Sequence, residues 1–87
     1  MYKIIVTVKD MKGKCKAHKV GDTIEIVGAV MSAPICPVAL MSFYHNIHAM
    51  KYGAVLPWAK DKDKIIQVCP DDKKQVTFEI RRVKIEE

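Results

Sequence analysis

The sequence contains no long apolar run: nowhere in its 87 residues does it approach the roughly 18 consecutive apolar positions that a membrane-spanning helix needs. The opening stretch, Met1 to Val8, has too short an apolar core for a secretory signal, and no small-residue cleavage site follows it. The expected setting is therefore the cytoplasm. Arginine is scarce, confined to Arg81 and Arg82, and aromatic residues make up only 7% of the chain. A nucleic-acid reader needs clustered arginine interleaved with exposed aromatics, so the net charge of +5, spread along the chain, points away from that class. Glycine and proline number four each, too few for a disordered chain of this hydrophobicity. No phosphate-cradling glycine loop or dinucleotide fingerprint is present. An even set of cysteines is also lacking. Three cysteines in a reducing compartment cannot form a closed disulfide framework, which leaves buried thiols, metal ligands or nucleophiles.

Patterning that specifies an α+β domain is present. Residues 2–9 alternate, with Ile4, Val6 and Val8 on one face and Lys3, Ile5, Thr7 and Lys9 on the other, which predicts a strand. Residues 10–19 read as a polar connection, and a turn at Lys19 to Asp22 feeds a second strand from Thr23 to Val27. Gly28 to Pro34 reads as a loop. Pro37 sits where a helix favours proline, at its first position, and Leu40, Phe43, Ile47 and Met50 recur at helical spacing up to the stop at Gly53. A second flank of Met41, Tyr44, His48 and Tyr52 widens the apolar arc. This motivates two expectations, a homo-oligomer and a protein-interaction module, both using that flank. Ala54 to Lys64 reads as a loop that packs Trp58 against the fold, and its alternating charges, Lys60 to Lys64, read as solvated. Ile65 to Cys69 and Gln75 to Val83 predict two further strands around a turn at Pro70 to Lys74. Arg82 interrupts the last alternation before Val83, the signature of a bulge. The expected architecture is one domain over residues 1–87, a small antiparallel sheet with one main helix in the order β-β-α-β-β.

Chemistry concentrates on four soft ligands. Cys15 and His18 stand at a Cys-x-x-His spacing, Cys36 precedes the helix, and Cys69 ends a strand. Three thiolates and an imidazole satisfy tetrahedral zinc. Iron is the weaker choice, since the tight multi-cysteine runs of iron–sulfur proteins are missing. Cys36 also supports a second reading, a thiol-based redox protein or enzyme. A thiol at a helix N-terminus faces free amides and the positive end of the macrodipole, with Cys15 or Cys69 as resolving partner and His18, His45 or His48 as base. The plain alternative is that all three thiols are small buried hydrophobes. His45 and His48, three apart, lack a third ligand and read as a solvated or packed helix edge. Asp71 and Asp72 read as turn caps rather than a catalytic carboxylate pair.

The motifs in order are Gly13-Lys14-Cys15, His18, Val20-Gly21-Asp22, Cys36-Pro37, Gly53, Pro57-Trp58, Asp61, Cys69-Pro70-Asp71, and Val76 to Ile80 with Arg82. This pattern resembles a family of short prokaryotic proteins, common in anaerobes, to which no activity is assigned. The resemblance covers almost the whole chain, with Ala17 standing where that family commonly has glycine. It implies that Cys15, Cys36, Cys69, His18, Asp22 and Asp71 form one recurring constellation. It names neither a metal nor a substrate.

Overall fold

A computed structural model describes residues 2–13, 18–70 and 75–85. The alternating β-branched segment Tyr2–Met11 forms β1, followed by β2 (Thr23–Val27), β3 (Val30–Met31), helix α1 (Pro37–Lys51), β4 (Lys64–Val68) and β5 (Val76–Lys84). The five strands make one sheet in the order β3-β2-β1-β5-β4, and neighbouring strands pair antiparallel throughout. The architecture is α+β, as the sequence predicts, with two hairpin halves joined through β1 and β5. No helix among the described residues is long and apolar enough to cross a membrane.

Period-two alternation places Ile4, Val6 and Val8 of β1 on the same face as Ile24 and Ile26 of β2, Ile65 of β4, and Val76, Phe78 and Ile80 of β5. Helix α1 covers this face with Ala39, Phe43, Ile47 and Met50. Phe43 and Phe78 meet edge to face at 5.2 Å in the centre of the core, and burying each ring contributes about 2–3 kcal/mol.

Four details depart from the sequence reading. Val30 and Met31 pair with Val27 and Ile26, so the expected loop at Gly28 to Pro34 contains the tip of a hairpin. Its turn uses Gly28 at φ +57, and two residues are too short a run to show alternation. The irregularity belongs to β1, between Val8 and Asp10, rather than to Arg82. That one extra residue shifts the parity of β1, so Met11 turns inward opposite Val76 and packs against the core. Arg82 continues the inward series of Val76, Phe78 and Ile80 and is itself buried. Trp58 is 56% exposed, because Leu56 and Ala59 supply the contacts of that loop with the core.

Candidate functional site

The β1–β2 connection reaches the start of α1 through a self-closing turn. Lys19 N–H donates to Asp22 Oδ2 at 3.0 Å, and Asp22 N–H donates to the Lys19 carbonyl at 3.1 Å. Gly21 adopts φ +98 at this turn, a conformation that glycine takes without Cβ strain. Beyond the turn the ladder resumes, with Val8 N–H donating to the Asp22 carbonyl at 2.9 Å. This geometry delivers His18 edge-on to the Phe78 ring, at 5.4 Å and 89°. The His18 side chain is almost fully buried.

His18 Nε2 accepts the backbone N–H of Cys36 at 3.0 Å. An accepting Nε2 places the proton of the neutral ring on Nδ1, which faces Asp22 Oδ2 at 3.9 Å. His18 thus stands between Asp22, which faces one ring nitrogen, and the residue that precedes the helix, Cys36, which is bonded to the other. A small pocket of about 220 Å³ opens beside it, lined by His18, Asp22, Thr23, Ile24, Ala33 and Pro34.

Cys36 is the N-cap of α1, with φ −48 and ψ 125, the extended conformation that a following proline imposes. Buried Ile35 anchors the chain just before it. The Cys36 carbonyl accepts the Leu40 N–H at 2.9 Å, which closes the first helical turn. Its thiol makes no capping hydrogen bond and is half-buried against the core. Cys69 follows β4, is buried, and donates its N–H to the Val76 carbonyl at 2.9 Å. The sheet register places Cys69 beyond Gln67, the partner of Phe78, and thus at the sheet end where His18 contacts Phe78.

Cys15 and Asp71 lie outside the described residues. Among the described residues, no three His, Cys, Asp or Glu side chains are grouped so as to hold a metal ion. The structure thus joins His18 to Cys36 directly and puts Cys69 at the same end of the sheet. His45 and His48 lie elsewhere, on the exposed side of α1, where His48 packs against Tyr52 at 5.1 Å and Tyr44 at 6.1 Å. Leu40, Met41, Tyr44, His45 and His48 line an open apolar groove of about 610 Å³ there.

The sequence reading missed the polar anchors of the helix. Arg82 donates from Nη1 to the carbonyls of Ala54 (2.6 Å) and Met50 (3.3 Å), and from Nε to Asp63 Oδ1 at 2.9 Å. Its guanidinium stacks over Tyr2 at 4.7 Å. Lys51 is buried and donates from Nζ to the Gly28 carbonyl at 2.8 Å, which ties α1 to the β2–β3 turn. The even spacing of Arg82 from Ile80 is the signal that could have placed it inward. Nothing in the local sequence marks Lys51.

No protein-family model, curated protein or solved structure matches the chain.

Proposed function

We propose that this protein binds a soft divalent metal, zinc first, at the sheet end next to the start of α1. Cys15, Cys36 and Cys69 would supply thiolates and His18 the fourth ligand. The observation that carries the reading is the 3.0 Å hydrogen bond from Cys36 to His18, which couples two of the four ligands across eighteen positions of sequence. The tautomer of His18 supports it as well. A zinc-ligating histidine typically presents the lone pair of one nitrogen to the metal and directs the other N–H at a carboxylate. Nε2 bears the lone pair here and Nδ1 faces Asp22. Cys15 is three residues from His18 along the chain, a reach of about 10 Å.

That same lone pair is engaged by the Cys36 amide, so a metal at Nε2 must displace this bond. Metal binding would therefore rearrange the first turn of α1 and draw Cys36 and Cys69 together, coupling the site to the stability of the domain. Elemental mass spectrometry on untagged protein purified without chelator, run beside a thiol titration, tests the reading. Near-stoichiometric zinc, with thiols protected until chelator is added, is the expected result. Failure of the metal-free protein to take up zinc, with all thiols freely titrating, would sink it.

A second reading, a nucleophilic Cys36, is favoured by the half-buried thiol at the helix cap that makes no capping bond. His18 is not placed to act as its base through Nε2, which accepts from the Cys36 amide. Rapid, pH-dependent alkylation of one thiol of three in metal-free protein is the outcome this reading requires. Equally slow reaction of all three excludes it.

A further inference from the structure

The outer edge of β4 is the second feature that invites a ligand, and it is unrelated to the thiols. Cys69 N–H donates to the Val76 carbonyl and Arg82 N–H to the Asp63 carbonyl, so odd-numbered residues of this strand face β5. Lys64, Ile66 and Val68 therefore direct their amides and carbonyls away from the sheet. Two of these groups are already used. Lys64 N–H reaches the Asp61 carbonyl at 3.4 Å, and the Gln67 side chain covers the Ile66 carbonyl at 2.9 Å. Among the described residues, the Ile66 N–H and both backbone groups of Val68 have no partner and remain for an incoming strand. The Gln67 cover and the shortness of the strand blunt the edge against unselective pairing.

Beside this edge lies a pocket of about 430 Å³, lined on its apolar side by Trp58, Ala59, Ile65 and Ile66. Trp58 and Ile66 are both more than half exposed. The charges around it do not cancel as the alternating run Lys60 to Lys64 suggests. The Asp63 carboxylate is taken by Arg82, while Asp61, which lines the pocket and accepts the Asp63 N–H, keeps its charge, so the three lysines of the run outnumber the one carboxylate left to offset them. Among the described residues, Lys60, Lys62 and Lys64 pair with no carboxylate. The edge is therefore bordered by Lys60 and Lys64, with exposed Lys62 in the same run, and by one exposed tryptophan.

We propose that the β4 edge docks an extended acidic peptide segment of another protein by strand addition. Its backbone pairs with Ile66 and Val68, an apolar side chain enters the Trp58–Ile66 pocket, and its carboxylates face Lys60, Lys62 and Lys64. Main-chain pairing supplies affinity in this mode and the flanking pocket and charges supply selection. The occupant follows from charge: the lysines repel a second copy of this chain's basic surface and attract carboxylates.

The test uses the full chain and a labelled short peptide of alternating glutamate and valine, read by anisotropy and by the fluorescence of Trp58, the chain's single tryptophan. Binding should weaken at least about tenfold when Lys60, Lys62 and Lys64 are all changed to glutamate, the direction set by charge complementarity. Val68→Pro removes one outward N–H at an edge position, where proline is tolerated, and leaves the pocket intact. It should also weaken binding, while in the parent protein the Ile66 and Val68 amides gain protection from hydrogen exchange. Unchanged binding by Val68→Pro with no gain in amide protection overturns the proposal. Equal displacement of the peptide by a single-stranded oligonucleotide also overturns it, since plain polyanion binding then accounts for the lysines.

Discussion

At its C-terminal end α1 meets a guanidinium, and at its N-terminal end it meets an imidazole. Both groups are buried, and each comes from outside the helix, from β5 in one case and from the β1–β2 connection in the other. Each suits the end it serves. Arg82 donates hydrogen bonds to the carbonyls of Met50 and Ala54 at the negative end of the macrodipole, and His18 accepts one from the Cys36 amide at the positive end. The difference lies in what is left over. The arginine end is closed: its guanidinium is shared among two carbonyls, Asp63 and the Tyr2 ring. The histidine end leaves a thiol without a capping bond, and a small pocket opens beside the imidazole. A saturated anchor is a structural device, whereas an anchor that presents an unused thiol leaves room for chemistry.

Arg82→Met gives the largest expected effect, because it keeps much of the apolar stem while removing the charge and three hydrogen bonds. Loss of about 3 kcal/mol in unfolding free energy is expected from hydrogen bonds to a buried cation, read by denaturant melting. Thiol reactivity and any zinc content should survive under native conditions, since that end of the helix is anchored separately. A loss below about 1 kcal/mol would mean that the closed end is not the main anchor and would undo the contrast.

His18→Leu is the matching change at the other end, with a loss of about 2 kcal/mol in metal-free protein. It retains apolar contact with Phe78 and leaves the Cys36 N–H without its acceptor. Its second readout sharpens the comparison. Under the metal reading, zinc uptake falls well beyond what the stability change explains, whereas Arg82→Met leaves uptake unchanged. Equal zinc uptake by the parent and His18→Leu proteins would reduce His18 to an anchor of the same kind as Arg82.

Gly53→Ala probes the closed end more gently. Gly53 follows the helix at φ +88, and a Cβ there would meet Tyr2 Cε2 at 3.6 Å, an ordinary contact. The cost is then backbone strain alone, about 1 kcal/mol by thermal or denaturant melting. A cost several times larger would show that Tyr2, and with it the Arg82 stack, cannot shift.

Much of this was legible in the sequence where one period dominates. Ile4, Val6 and Val8, or Phe43, Ile47 and Met50, repeat at spacings that hydrophobic burial enforces, so the main strands and the helix follow from pattern. Pro37 and Gly53 bracket the helix for stereochemical reasons that need no tertiary knowledge. Arg82 was misread because a charged residue at an inward position looks like a break in alternation, and only the approach of α1's carbonyls makes burial tolerable there. Trp58 was misread for the converse reason: size alone does not bury a side chain when smaller neighbours fill the contact. At the site, residue type nominated Cys36 and His18, but the bond between a histidine nitrogen and a backbone amide leaves no mark in sequence.

The smallest expected change in stability belongs to Cys36→Ser, and its sign carries the argument. Serine is among the preferred N-cap residues because its oxygen accepts an amide of the first turn, typically worth about 1 kcal/mol. Here those amides belong to Val38 and Ala39, and the native thiol forms no capping bond. Against this gain stands the loss of a sulfur that packs on the core, half-buried as it is. The two nearly cancel, so metal-free Cys36→Ser should unfold within about 0.5 kcal/mol of the parent. Zinc binding or selective alkylation, by contrast, should fall sharply in the same protein. A neutral or stabilising substitution that abolishes a chemical readout identifies a cysteine held at a helix cap for its sulfur rather than for its fit. If Cys36→Ser instead costs several kcal/mol and leaves zinc uptake and thiol reactivity as they were, Cys36 is a packing residue, and the two ends of α1 are alike after all.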